Sequence, residues 1–70
     1  MTVASVIEIS AASSEGFEEA IREGIERANK TLRNVEGAWV KDMTVLINED
    51  GQIRAYKVNL LVTFVLEDTA

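Results

Sequence analysis

Hydrophobic and polar positions along the chain divide it into four elements. Val3 to Ser10 (VASVIEIS) is short, rich in β-branched residues and roughly alternating, which predicts a first strand. Ala11 to Ser14 is a run of small residues and reads as a connection. Within it Ser13 is placed to cap a helix, with Glu15 in the first turn, where the helix dipole favours an acid. Phe17, Ala20, Ile21, Gly24, Ile25, Ala28 and Leu32 then fall on one stripe at the helical period. The opposite face carries Glu18–Arg22, Glu23–Arg27 and Glu26–Lys30, each acid before base at i,i+4. The pattern predicts an amphipathic helix from Ser14 to Arg33, about 20 residues and roughly 30 Å long. Gly24 lies inside the apolar stripe at about 1 kcal/mol of helix propensity relative to Ala. Close approach of another backbone would account for it, and so would simple tolerance.

Trp39 to Ile47 (WVKDMTVLI) and Ile53 to Leu66 (IRAYKVNLLVTFVL) predict two further strands. Asn48-Glu49-Asp50-Gly51 between them is a hairpin connection, with Gly51 free to take a positive φ. The order is β-α-β-β, a single α+β domain over residues 1–70. The hairpin makes the last two strands antiparallel. The first can then pair antiparallel with the last, giving a three-stranded sheet of order 1-3-2 with the helix across one face.

The last strand bears on assembly. Its even positions, Tyr56 to Leu66, form an unbroken apolar row that faces the helix, while its odd positions are half apolar. The preceding strand behaves similarly, with Trp39, Met43, Val45 and Ile47 on one face and Ala38, Val40 and Leu46 on the other. One helix covers one face of a sheet. A second face bathed in water would alternate more cleanly, so that face is expected to meet other copies of the chain.

Composition sharpens this picture. A chain of 70 residues buries only about 60% of its unfolded surface, so its own core is marginal. There is no Cys and no His, which removes disulfides, zinc, haem and iron–sulfur ligands, thiol nucleophiles and imidazole acid–base chemistry. No remaining pair of residues has the spacing of a poised acid and base, so an enzyme is not expected. Twelve acidic residues against seven basic ones give a net charge of −5, which argues against nucleic acid and anionic membranes as partners. No apolar run is long enough for a membrane span and no signal-peptide pattern opens the chain, so a cytoplasmic location is expected.

The β-α-β-β order, the helix start Ser13 to Phe17 (SSEGF), the stretch Ile25-Glu26-Arg27-Ala28 and the ending Tyr56 to Asp68 (YKVNLLVTFVLED) together resemble the dodecin family. The match runs without a gap from Val6 to Asp68, apart from the hairpin loop. The resemblance implies a hollow homododecamer that binds flavins, riboflavin or flavin mononucleotide, in stacked pairs at subunit contacts, for storage or scavenging. The family's flavin-stacking Trp corresponds to Gly37, with a Trp two residues later at Trp39, and i and i+2 share a strand face. The Gln that holds the flavin ring edge corresponds to Lys57. Arginines that bind phosphate groups in some bacterial members correspond to Thr44 and Val65, and the family's small turn to Ala11-Ala12-Ser13.

The candidate ligand-binding residues are therefore Gly37, Trp39 and Lys57. Trp39 offers an indole face to a planar ligand, or an anchor between subunits. Lys57 offers a point charge to a ligand carbonyl or phosphate, or an ion pair across a subunit contact with Asp42 or a glutamate. Glu36 and Asp42, which flank the Trp, are candidate oxygen ligands for calcium or magnesium if symmetry brings copies together. Two functions stay open: a shell that sequesters a flavin-like molecule, and a structural shell without flavin that binds cations.

Overall fold

The computed structural model describes residues 3–66, which form β1 (Val3–Ser13), α1 (Phe17–Thr31), β2 (Val35–Ile47) and β3 (Ile53–Leu66). The three strands make one antiparallel sheet of order β1-β3-β2, and α1 lies across one face of it. No helix among the described residues is long and apolar enough to cross a membrane.

The elements differ in length from the sequence reading. β1 runs three residues further than Ser10, because Ala11, Ala12 and Ser13 continue the ladder opposite Val58, Lys57 and Tyr56. Ser13 is the last strand residue and not the helix cap; its Oγ accepts the backbone N–H of Glu15 at 3.1 Å and turns the chain. Gly16 occupies the N-cap, without a side-chain cap, so α1 has 15 residues and is roughly 22 Å long. Arg33 lies beyond its end. Asn34 then takes a left-handed conformation (φ 59°), which its short amide side chain tolerates. Its carbonyl accepts the N–H of Val65 at 3.0 Å and its Nδ2 donates to the Val65 carbonyl at 3.4 Å. This brings β2 into the sheet at Val35, four residues before Trp39. At the other end Gly51 (φ 84°) closes the hairpin, and Asn48 and Gln52 are joined by an N–H···O bond of 2.8 Å.

The core is Val58, Leu60 and Val62 of the central strand against Ala20 and Ala28 of the helix. Small residues on the buried stripe bring the helix close to the sheet. A Cβ on Gly24 would stand 3.0 Å from Leu60 Cδ1 and 3.2 Å from Ala11 Cβ, so side chains of the sheet, not a neighbouring backbone, fill the space that glycine leaves. Phe17 packs edge to face on Tyr56, with centroids 5.1 Å apart at 72°.

The sheet far outruns its cover. Strands of 13 and 14 residues extend roughly 45 Å, twice the length of the helix. The radius of gyration is 14.7 Å, against about 11 Å for a compact chain of this size. Its accessible surface is 5142 Å², where about 4,300 Å² is usual for a folded monomer of this mass.

Candidate functional site

β2 contains the decisive local feature. Val40 pairs with Leu60 and Asp42 with Asn59, so Lys41 is an extra residue in the ladder, a β-bulge. A one-residue slip exchanges the faces of a strand. Before the bulge, Trp39 opposes Leu61 on the sheet face away from the helix; after it, Met43 opposes Val58 on the helix face. Trp39 therefore does not share a face with Met43 and Val45, as simple alternation predicts. A second bulge sets Glu36 between Val35, opposite Phe64, and Gly37, opposite Thr63.

The face away from the helix, the open face, is thus built of cross-strand rows. In order they are Val6–Thr63–Gly37, Glu8–Leu61–Trp39, Ser10–Asn59–Asp42 and Ala12–Lys57–Thr44. Gly37, Trp39, Asp42 and Lys57 are all brought to this face, within four rows. Trp39 is 71% exposed, an unusual state for an indole in a folded domain. Gly37 leaves the neighbouring spot empty: a Cβ there would meet only Thr63 Oγ1 at 3.8 Å. The Thr63 hydroxyl donates to the Gly37 carbonyl at 3.1 Å and holds the strand flat against β3.

Polar groups tie this face together. Lys41 Nζ lies 3.3 Å from Glu8 Oε1, spanning the central strand from one edge to the other. Asn59 Nδ2 donates to Asp42 Oδ2 at 3.5 Å, leaving the Asn59 carbonyl oxygen as an acceptor beside the Trp39 row. These pairs were not legible in the sequence, because they depend on strand register and on the bulge. Lys57 forms no ion pair among the described residues, where the bridges are Arg22–Glu18, Arg22–Glu19 and Lys41–Glu8.

The carboxylates are arranged differently from a built cation site. Glu36 lies beside the Gly37–Thr63 pair and Asp42 opposes Asn59, four residues or roughly 13 Å away along β3, too far to share an ion within one chain. No group of three or more acidic residues converges among the described residues. A cation held by them needs carboxylates from more than one copy.

The fold has counterparts. The dodecin family model matches residues 3–67. A dodecin of Thermus thermophilus is 41% identical over 63 residues, 90% of this chain and 90% of that protein. The solved structure of a dodecin from Streptomyces davaonensis is 36% identical with a TM-score of 0.89, over 96% of this chain and 97% of that one. A calcium dodecin of Mycobacterium tuberculosis, described as calcium-chelating with a novel calcium-binding site, is 26% identical with a TM-score of 0.81, over 97% and 96% of the two chains.

Proposed function

The chain belongs to the dodecin family, and from that premise we propose that it assembles into a closed homododecameric shell that sequesters a flavin-like planar molecule on the open face of its sheet. The observation that carries this reading is Trp39. An indole 71% exposed beside the bare Gly37 position has a free ring face, on a sheet face that the assembly reading sets against other copies of the chain. Stacking on such a face supplies dispersion and quadrupole contact without any chemistry on the ligand.

The residues present fit a flavin in part. Trp39 takes over stacking one pleat along β2 from the family's position. The imide edge of the ring offers two carbonyl acceptors and an N–H donor. Lys57 can donate to a carbonyl but has no acceptor for the N–H, whereas an amide could serve both. Asn59, its Nδ2 engaged by Asp42, keeps an acceptor oxygen on the same face. The role that follows is binding and release, not turnover: among the described residues the acid–base contact on this face, Lys41–Glu8, is a solvent-exposed ion pair.

A second reading, a shell that binds divalent cations in place of flavin, is favoured by the calcium dodecin among the relatives and by the acidic excess of the chain. The two are separated by titrating riboflavin into the purified protein and following flavin fluorescence. Quenching that saturates, and that weakens at least tenfold in Trp39→Ala with the assembly intact, is the expected result; base-on-aromatic stacking elsewhere is worth roughly 1–3 kcal/mol. Absence of quenching by the wild-type protein would set the flavin reading aside in favour of the cation shell.

A further inference from the structure

The open face carries a charge that its own residues leave unanswered. Of the two lysines that reach it, Lys41 is paired with Glu8 at 3.3 Å, while Lys57 forms no ion pair among the described residues. Lys57 is half-buried on the central strand between Ala12 of β1 and Thr44 of β2, and neither neighbour carries a charge. The nearest carboxylate in register, Asp42, lies one row away, and its Oδ2 already accepts from Asn59 Nδ2 at 3.5 Å. Two rows, or roughly 13 Å along β3, separate Lys57 from the Leu61–Trp39 row. Ser10 and Ala12 keep the β1 side of that interval low, so a flat molecule resting on the indole can extend to the ammonium.

We infer that Lys57 sets the charge of the ligand. The open face selects planar aromatic anions, with an ionised carboxyl, phenol or imide oxygen at the end away from Trp39, over neutral rings of the same shape. The inference rests on the planar-ligand reading above and narrows its ligand class.

Two physical arguments carry it. An ammonium has three donors and no acceptor, so a ligand edge that meets it is satisfied only if that edge accepts. The acceptor oxygen of Asn59 stands one row nearer the indole, and the far end of the ligand meets donors alone. Desolvation points the same way. A neutral ring laid over Lys57 strips water from a charge and returns nothing, whereas an anion offsets the loss with a charge-assisted hydrogen bond. The net charge of −5 repels anions at long range, so a preference for them has to come from a cation at the site.

Trp39 is the single tryptophan of the chain, so its emission reports occupancy of the face directly. The probes are anthraquinone-2-carboxylate and its neutral carboxamide, the same fused rings with and without the charge, titrated at neutral pH beside riboflavin. The wild-type protein is expected to bind the carboxylate at least about tenfold more tightly than the carboxamide, the scale of one hydrogen bond to a charged group. Lys57→Gln should erase that preference and tighten riboflavin, since an amide both donates to and accepts from an imide edge. Lys57→Arg, which keeps the charge, should keep the preference. Sedimentation velocity checks that each variant retains the wild-type size. Equal binding of the two anthraquinones by the wild type would overturn the inference while leaving the planar-ligand reading in place. A preference that survives Lys57→Gln would overturn the role of the lysine. A Lys57→Gln protein of smaller size would place the ammonium in a contact between copies, and would overturn its role toward the ligand. Failure of riboflavin and both anthraquinones to bind would overturn the planar-ligand reading, and the inference with it.

Discussion

Replacing Gly24 by alanine sets two effects of similar size against each other. In an isolated helix the change is favourable by about 1 kcal/mol, because glycine loses the most backbone entropy on folding. Here the added Cβ would lie 3.0 Å from Leu60 Cδ1, 3.2 Å from Ala11 Cβ and 3.7 Å from Ile9 Cδ1. Carbon pairs rest at about 3.5–4.0 Å. Ala11 Cβ is fixed to the β1 backbone and cannot rotate away, and Leu60 is fully buried in the central strand. The helix has to lift, loosening Ala20 and Ala28 on either side. Overpacking of this kind costs about 1–3 kcal/mol, so Gly24→Ala is expected to destabilise by about 1 kcal/mol net.

The assay is urea denaturation followed by circular dichroism at one fixed protein concentration, since unfolding and dissociation are linked in an assembly. A cycle with Leu60→Val isolates the contact. That change deletes the nearer clashing atom at a cost of about 1 kcal/mol. In that background Gly24→Ala should be about 1 kcal/mol less harmful than in the wild type. A Gly24→Ala protein stabilised by the full propensity difference, or a strictly additive cycle, would refute the argument that the helix sits against the sheet at the limit of approach.

Two further outcomes follow from the hairpin and from charge. Gly51→Ala is expected to lower stability by about 1 kcal/mol, because φ 84° puts a Cβ in the left-handed region; an unchanged urea midpoint would mean that the loop relaxes freely. Twelve copies at −5 each would carry about −60, a charge whose self-repulsion salt screens over about 10 Å at 0.1 M. The melting temperature of the assembly should therefore rise with NaCl, and millimolar calcium or magnesium should raise it further at matched ionic strength. The divalent increment should shrink in Glu36→Gln and Asp42→Asn; melting indifferent to both kinds of salt would remove the cation reading.

The parts of this fold that were legible in the sequence are those governed by strict periods. The stripe from Phe17 to Leu32 and the even positions of β3 pack together as their spacing requires, and Val58, Leu60 and Val62 are the core. The element ends were less legible, because pairing across the sheet decides them. Ala11-Ala12-Ser13 has the composition of a loop yet pairs with Val58, Lys57 and Tyr56, and Val35 joins β3 through the turn at Asn34. The bulge at Lys41 was invisible for the same reason: no residue type demands it, and its effect is to separate Trp39 from Met43 across the thickness of the sheet. Gly37, Trp39 and Lys57 came from resemblance, and Asp42 from its place beside Trp39. The Asn59 partner of Asp42 and the Lys41–Glu8 pair came only from register.

That separation has a consequence for how binding and assembly relate. Trp39 and Lys57 lie on the open face, while Met43 and Val45 lie on the helix face. A ligand stacked on Trp39 shares no side chain with Met43 and Val45, so changes on the two faces should respond independently. Changes more than about 7–10 Å apart with no common partner are usually additive. Had β2 run without its bulge, Trp39 would share a face with Met43 and Val45, and every change at the indole would also be a change beside the core. With the bulge, loss of flavin quenching without loss of assembly in Trp39→Ala marks the indole as a ligand platform. Dissociation of that variant would mark it instead as an anchor between copies, and would move the open face from ligand binding to assembly.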